Sequence, residues 1–251
     1  MKNILVTGGA GYVGSQTCKA LACGGYNPIV YDNLVTGFKD FVKWGPMVQG
    51  DILDTKLLIS TLKKYHPIAV IHFAALSSAG ESFQKASFYY KNNVLGSISL
   101  LDAMQLCNVN KLVFSSSAAT YGIYDKIISE DFPQNPINPY GHSKLIIENF
   151  LNEFGKAYGL KSVILRYFNA AGADPKGDIG EDHDPETHLI NNRFNDGVTD
   201  LQGRFWAGTM KDRGKSECKG SFYCLDQNKK VNKWKNGIWT TNGLAFSPDG
   251  E

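Results

Sequence analysis

Along the first two thirds of the chain, short apolar runs alternate with longer stretches whose apolar positions recur every three to four residues. The short runs predict β-strands over 3–7, 27–31, 48–50, 69–73, 111–115 and 162–167. Between them the helical period predicts helices over 13–24, 56–65, 89–107 and 139–158. The last carries Leu145, Ile146, Ile147, Phe150, Leu151 and Phe154 as one apolar face. Strands this apolar need cover on both sides, and helices between them supply it, so the expected architecture is a doubly wound parallel α/β sheet.

After about Ile190 the texture changes. Helical periodicity stops, and short alternating runs such as 204–210 and 221–225 are separated by Gly, Asp, Asn and Lys, the pattern of a β-meander. No Pro/Ser/Gly linker marks the change. Two domains are therefore expected, over 1–190 and 191–251. The formal charge of +2 divides into 16 Lys+Arg against 17 Asp+Glu before residue 191 and 10 against 7 after it, too little excess in either part to attract nucleic acid. Five cysteines with no C-x-x-C pair indicate neither a disulfide framework nor a zinc site. The first apolar run is too short for a signal peptide or membrane span, so the expectation is a cytoplasmic protein without membrane partners.

Chemistry enters at Thr7-Gly8-Gly9-Ala10-Gly11-Tyr12-Val13-Gly14, which follows a strand and opens a helix. Gly8 permits a sharp turn, Gly11 lets backbone N–H groups approach a pyrophosphate at the helix N-terminus, and Gly14 lets helix pack on strand. Asp32, at the end of the second strand, can accept from a ribose 2′-hydroxyl and would repel a 2′-phosphate, which favours NAD over NADP. Asp51 and the pair Ala74-Ala75 end two further strands, where Asp51 can reach an adenine amino group and the alanines leave room for a cofactor. Taken alone, each of these is equally a strand terminus. Ser115-Ser116-Ser117 ends another strand, and Tyr140 and Lys144 stand i,i+4 on one helix face. An ammonium beside a phenol favours the phenolate, so Tyr140 is expected to have a lowered pKa and to serve as a base.

The order TGGAGYVG, Asp32, GDILD, IHFAAL, GES, Asn92-Asn93, FSSSAATYG, Pro139-YGHSK and LRYFNAAGA resembles the UDP-glucose 4-epimerase family of extended short-chain dehydrogenases, over nearly every residue to Ile190. The resemblance implies a Rossmann-type sheet with NAD held permanently by Gly8, Gly11, Tyr12, Val13, Gly14, Asp32, Asn33, Asp51, Ile52, Phe73, Ala74, Ala75, Asn92, Tyr140, Lys144 and Phe168. It further implies that Ser117 and Tyr140 bind the sugar 4-hydroxyl, that Lys144 bridges Tyr140 and the cofactor ribose, and that Asn169 contacts the substrate phosphates. The implied reaction interconverts UDP-glucose and UDP-galactose through a 4-keto sugar. Related dehydratases place Asp-Glu where this chain has Ala118-Ala119, which favours epimerisation, and Ser77 stands where some epimerases carry lysine. The helices over 89–107 and 139–158 correspond to those of an intersubunit bundle in the family, so a homodimer is expected.

The tail resembles a second family. Its runs Asn191-Asn192-Arg193-Phe194-Asn195-Asp196-Gly197, 203–210 and 241–250 are similar to an internal piece of the regucalcin/gluconolactonase β-propellers. There Arg193 and Asn195 would contact substrate and Asn242 would bind a divalent metal, but the carboxylate ligands belong to blades outside this chain. One neutral amide cannot hold a hard cation, so no metal is expected. The combined expectation is an epimerase-type domain joined to an incomplete β-propeller fragment, with turnover impaired because a uridine-gripping domain is missing. An inactive NAD-binding remnant and a metal-dependent lactonase are the alternatives.

Overall fold

The computed structural model describes residues 1–124, 127–170, 172, 174–180, 193–199, 204–210, 220–226 and 230–238. The chain divides into two compact units, Met1–Asn169 and Ala170–Glu251.

In the first unit six strands form one parallel sheet: β1 (Lys2–Thr7), β2 (Tyr26–Asp32), β3 (Met47–Gln49), β4 (Ala69–His72), β5 (Lys111–Ser115) and β6 (Lys161–Leu165), in the spatial order β3-β2-β1-β4-β5-β6. The order reverses between β1 and β4, which opens a crevice at the carboxyl ends of the strands. Alternation along each strand serves both faces. Leu5, Ile29, Tyr31, Val70, Leu112 and Phe114 point into one core with Leu58, Leu62, Leu100, Met104, Ile147 and Leu151 from the covering helices. Ile4, Val6 and Val30 point the other way, against Ala10 and Cys18.

The helices are α1 (Tyr12–Cys23), α2 (Thr55–Tyr65), α3 (Ala79–Gln84), α4 (Ala86–Tyr89), α5 (Gly96–Leu106) and α6 (Pro139–Tyr158). Their ends follow local chemistry. The Asp54 side chain accepts from Leu57 N to start α2, and Asn138 accepts from Gly141 N at 2.7 Å to start α6, with Pro139 in the first helical position. Gly159 closes α6 in the left-handed region at φ 69°.

The helix expected over 89–107 runs without a break from Ala86 to Leu106, but its winding changes in the middle. Residues Tyr90–Leu95 form a π-helical turn between α4 and α5. There the Asn93 side chain leaves its own helix to bind the backbone of Leu76, accepting from its N–H at 2.8 Å and donating to its carbonyl at 3.0 Å. Inserted residues of this kind commonly mark sites.

In the second unit β7 (Arg193–Thr199), β8 (Phe205–Met210), β9 (Gly220–Leu225) and β10 (Val231–Ile238) form an antiparallel meander in chain order. Trp206 is buried and packs against Phe222 and Trp234, with ring centroids 5.5 and 4.9 Å away. Arg193 and Asn195 fall on β7, and Asn242 lies outside the described residues.

Candidate active site

The carboxyl ends of β1, β2, β4 and β5 bring most of the expected residues to one edge of the sheet. After β1 the chain turns at Gly8, whose φ of +72° is the left-handed region. A methyl group at Gly8 would lie 2.5 Å from the Ala74 nitrogen, and one at Gly14 would lie 2.1 Å from the Gly8 carbonyl oxygen. The two loops that follow β1 and β4 thus touch backbone to backbone, with α1 pressed onto the first. Gly11 is different, because a methyl there would approach nothing closer than the Gly8 oxygen at 3.4 Å. It is the N-cap of α1, supplies no side-chain acceptor, and is followed by Tyr12 and Val13 with no acidic residue in the first turn. That helix end has no side-chain cap and no crowding at Gly11, the arrangement an anionic pyrophosphate fits.

Asp32, buried at the end of β2, holds the same turn. Its carboxylate accepts from Ala10 N at 3.0 Å and from Leu34 N at 2.9 Å. Burial pushes its pKa up, and these two bonds pull it back. Each oxygen keeps a further lone pair for a ribose hydroxyl. Asn33 donates to Asp51 at 3.0 Å, and the other Asp51 oxygen accepts from Leu53 N at 2.9 Å, so the ends of β2 and β3 are tied together. Ile52 is buried, close enough to Gly96 that a methyl there would meet its Cγ2 at 2.4 Å. Phe73, Ala74 and Ala75 follow β4 half-buried, and the Asn92 amide donates to Asn93 Oδ1 at 2.9 Å.

At the end of β5, Ser117 begins a 3-10 turn, its hydroxyl accepting from Ala119 N at 3.1 Å and standing near enough to Tyr140 to favour the phenolate. Lys144 is 2% exposed and donates to the Ser115 carbonyl at 2.7 Å. Its Nζ lies 4.9 Å from the centre of the Phe114 ring and 5.8 Å from that of Tyr140. Burial pushes the Lys144 pKa down to about 7, and the Glu148 carboxylate opposes that shift. The expected lowering of the Tyr140 pKa is not what this arrangement produces. Burial raises it, the nearby Ser117 hydroxyl lowers it by less, and Tyr167 raises it further. Helical spacing places Lys144 beside the ring but cannot reveal the cost of desolvating a phenolate there.

Phe168 and Asn169 follow β6 with their side chains exposed. Three buried groups at the site were given no role from sequence. His72 is held between Thr7 Oγ1 at 2.7 Å and Ser97 Oγ at 2.9 Å, and burial with the nearby Lys144 charge pushes its pKa down to about 3, so the ring is neutral. Asn93 also donates to Ser143 at 3.1 Å, between Tyr140 and Lys144. Glu148 pairs with Arg166 at 2.7 Å. A carboxylate one turn beyond Lys144 on the same face was the available signal for the last.

Residues 4–199 match the NAD dependent epimerase/dehydratase family. The chain belongs to that family. Among its relatives are UDP-glucose 4-epimerases of Rhizobium meliloti (strain 1021), 52% identical over 189 residues, and of Lactobacillus helveticus, 52% identical over 191; each alignment covers 75% of this chain and 58% of the relative. Solved structures agree with the family assignment. UDP-glucose 4-epimerase from Brucella ovis in complex with NAD superposes with a TM-score of 0.74 at 56% identity, covering 75% of this chain and 58% of that one. The Bifidobacterium longum enzyme in complex with NAD+ and UDP gives 0.70 at 36% identity, covering 76% and 59%. The chain therefore spans a little under three fifths of the length of these epimerases. Residues 162–251 match a second family, the SMP-30/Gluconolactonase/LRE-like region, and the two matches overlap over 162–199.

Proposed function

We propose that the first unit binds NAD and carries the redox half of a UDP-hexose 4-epimerase. The observation that carries this reading is the meeting, on one sheet edge, of the uncapped α1 N-terminus at Gly11 and the group Ser117, Tyr140 and Lys144. Gly8, Gly11, Tyr12, Val13 and Gly14 would hold the pyrophosphate, and Asp32 and Asn33 the adenosine ribose. Asp51 and Ile52 would face the adenine, while Phe73, Ala74, Ala75, Asn92 and Phe168 would line the remainder. When bound there, NAD supplies a hydride acceptor that returns the hydride to either face of a 4-keto sugar.

The chain's own residues handle the proton. Ser117 orients the C4 hydroxyl toward Tyr140, and Tyr140 takes its proton as the C4 hydride leaves. Because burial raises the Tyr140 pKa, the phenolate needs positive charge beside it, and Lys144 is the residue placed to supply it. Asn169 would meet the substrate phosphates. Ala118 and Ala119 offer no acid to expel water from the sugar, which favours epimerisation over dehydration.

Residues 191–251 we read as an internal piece of a propeller. Four antiparallel strands in chain order are the plan of a single blade. Exposed Phe83, Phe88, Leu95 and Leu106 on α3, α4, the π-turn and α5 support pairing of two copies. A cytoplasmic location is consistent with the absence, among the described residues, of a helix long and apolar enough to cross a membrane.

The test is to purify the 251-residue chain, assay bound or added NAD by fluorescence, and follow its reduction on adding a UDP-hexose. Binding and slow reduction are expected. Turnover should fall on the order of a thousandfold below a full-length relative, about 4 kcal/mol of transition-state stabilisation, because nucleotide binding energy orients the sugar. A chain that takes up no NAD would sink the reading.

A further inference from the structure

One buried carboxylate joins the elements that carry the candidate chemistry, and neither the glycine turn nor the Tyr/Lys pair accounts for it. Glu148, on α6 one turn beyond Lys144, is 2% exposed. Its Oε1 accepts from the Ser116 hydroxyl, adjacent to Ser117 at the end of β5. Arg166, just after β6, donates from Nε to both carboxylate oxygens at 3.0 and 3.1 Å and from Nη2 to Oε2 at 2.7 Å. Gln134, in the segment leading to α6, donates to Oε2 at 3.0 Å. Arg166 continues to the Tyr121 hydroxyl at 2.8 Å and the Glu130 carbonyl at 3.3 Å.

A buried ion pair adds little net stability, since removing two charges from water costs about what their attraction returns. Its value lies in fixing geometry. Here the fixed pieces are α6, which bears Tyr140 and Lys144; the end of β5, which bears Ser117; and the segment after β6. Without the carboxylate, the Ser116 hydroxyl loses its acceptor on α6, and the Lys144 ammonium keeps the Ser115 carbonyl and the Phe114 ring but loses the negative charge that supports it.

We infer that Glu148, held by Arg166, is a positioning residue for the Ser117, Tyr140 and Lys144 group: it locks α6 to the end of β5 and keeps the Lys144 ammonium in place beside Tyr140. The assignment rests on the proposed use of those three residues, but its test reads Lys144 in the unliganded chain and needs neither NAD nor sugar. The groups facing Lys144 are Tyr140 and Glu148 from its own helix, His72 from β4, and the Ser115 carbonyl and Phe114 ring from β5, with Tyr167 behind Ser115. His72 is neutral and the phenols are uncharged near neutral pH, which leaves Glu148 as the negative charge that supports the ammonium.

The experiment is carbon NMR of the full chain labelled at the lysine ε-carbons, with the Lys144 resonance assigned by its loss in Lys144→Met. In the parent it should titrate near neutrality. In Glu148→Gln it should titrate lower by about one pH unit, the lower end of what losing a close opposite charge produces. Should Arg166, left unpaired, unfold that variant, Glu148→Met with Arg166→Met removes both charges at once, and a buried pair exchanged for apolar side chains commonly keeps the fold. The same downward shift is expected there. A folded variant whose Lys144 titrates as in the parent overturns the inference, and so does unfolding of both variants, which would assign the pair to the fold. Failure of the parent chain to bind NAD bears on the proposed function and leaves this titration untouched.

Discussion

Gly11 and Gly14 lie three residues apart in one turn, yet the structure requires them for different reasons, and alanine at each should fail differently. At Gly14 a methyl group would sit 2.1 Å from the Gly8 oxygen, 2.8 Å from the Gly9 Cα and 2.9 Å from the Gly8 carbonyl carbon. All three are backbone atoms, so no side chain can swing aside and α1 itself must move. Overpacking costs about 1–3 kcal/mol, and a backbone clash belongs at the upper end; the helix preference for alanine returns about 1 kcal/mol, leaving a net loss of about 2 kcal/mol. For a chain of this size that lowers Tm by about 4–8 °C. Gly11→Ala meets ordinary contact at 3.4 Å with backbone angles of −80° and 178° that alanine adopts freely, so it costs only the poorer N-cap, about 0.5–1 kcal/mol. Its methyl group nevertheless stands in the approach to the α1 N-terminus and should weaken NAD binding by at least about tenfold, or 1.4 kcal/mol. Calorimetry for Tm and fluorescence titration for NAD separate the two. A Gly14→Ala protein melting with the parent, or a folded Gly11→Ala protein binding NAD as tightly as the parent, would refute the reasoning.

Asp32→Asn, which keeps an acceptor for one of the two backbone donors while removing the charge, should narrow an NAD over NADP preference expected to be at least about tenfold; equal affinities in the parent would remove Asp32 from that role. Tyr140→Phe should retain NAD binding and abolish its reduction by UDP-hexose, whereas residual reduction at the parent rate would assign the base elsewhere. Lys144 gives a stability signature with a definite sign: its folded pKa of about 7 lies below its ordinary value of 10.5, so the unfolded chain binds more protons between those limits and stability rises with pH. The penalty is complete below about pH 7, and denaturant unfolding at pH 6 and pH 9 should show the parent gaining about 2–3 kcal/mol relative to Lys144→Met. No change between the two pH values would mean that Lys144 is not charged and buried together.

The sheet was legible because its determinants are local and periodic. Each strand end lies within about two residues of the expected position, and α6 runs over the expected 139–158, since Asn138, Pro139 and Gly159 mark its ends chemically. The helix over 89–107 lies where its apolar period puts it, but that period persists through Tyr90–Leu95 and gives no sign that the winding there widens to a π turn as Asn93 reaches for Leu76. That reach is a contact 17 residues away, which no window of periodicity contains. The same limit applies at the site. Gly8, Asp32, Tyr140 and Lys144 carry their chemistry in spacing, whereas Glu148, Arg166 and His72 acquire theirs only when α6, β6 and β4 are brought together.

The disagreement over Tyr140 shows what the chain's own residues do not supply. Spacing alone put an ammonium beside the phenol and suggested a lowered pKa; in the folded chain both groups are desolvated, and burial acts against the charge of each. Lys144 with a pKa near 7 is only partly charged at neutral pH, so by itself it cannot make Tyr140 a strong base. Glu148 raises the charged fraction of Lys144, but a buried carboxylate also opposes a phenolate on the same helix. The site therefore needs further positive charge before Tyr140 can hold a negative one, and the proposed cofactor brings that charge in its oxidised nicotinamide ring. Proton removal would then be tied to the state able to accept the hydride: after the hydride has left C4, Tyr140 would hold the proton taken from the sugar hydroxyl and would return it as the keto carbon takes the hydride back. Tyr140 in the NAD-loaded chain should accordingly ionise at lower pH than in the unliganded chain. Equal ionisation in the two would leave this site with no physical reason to couple proton and hydride.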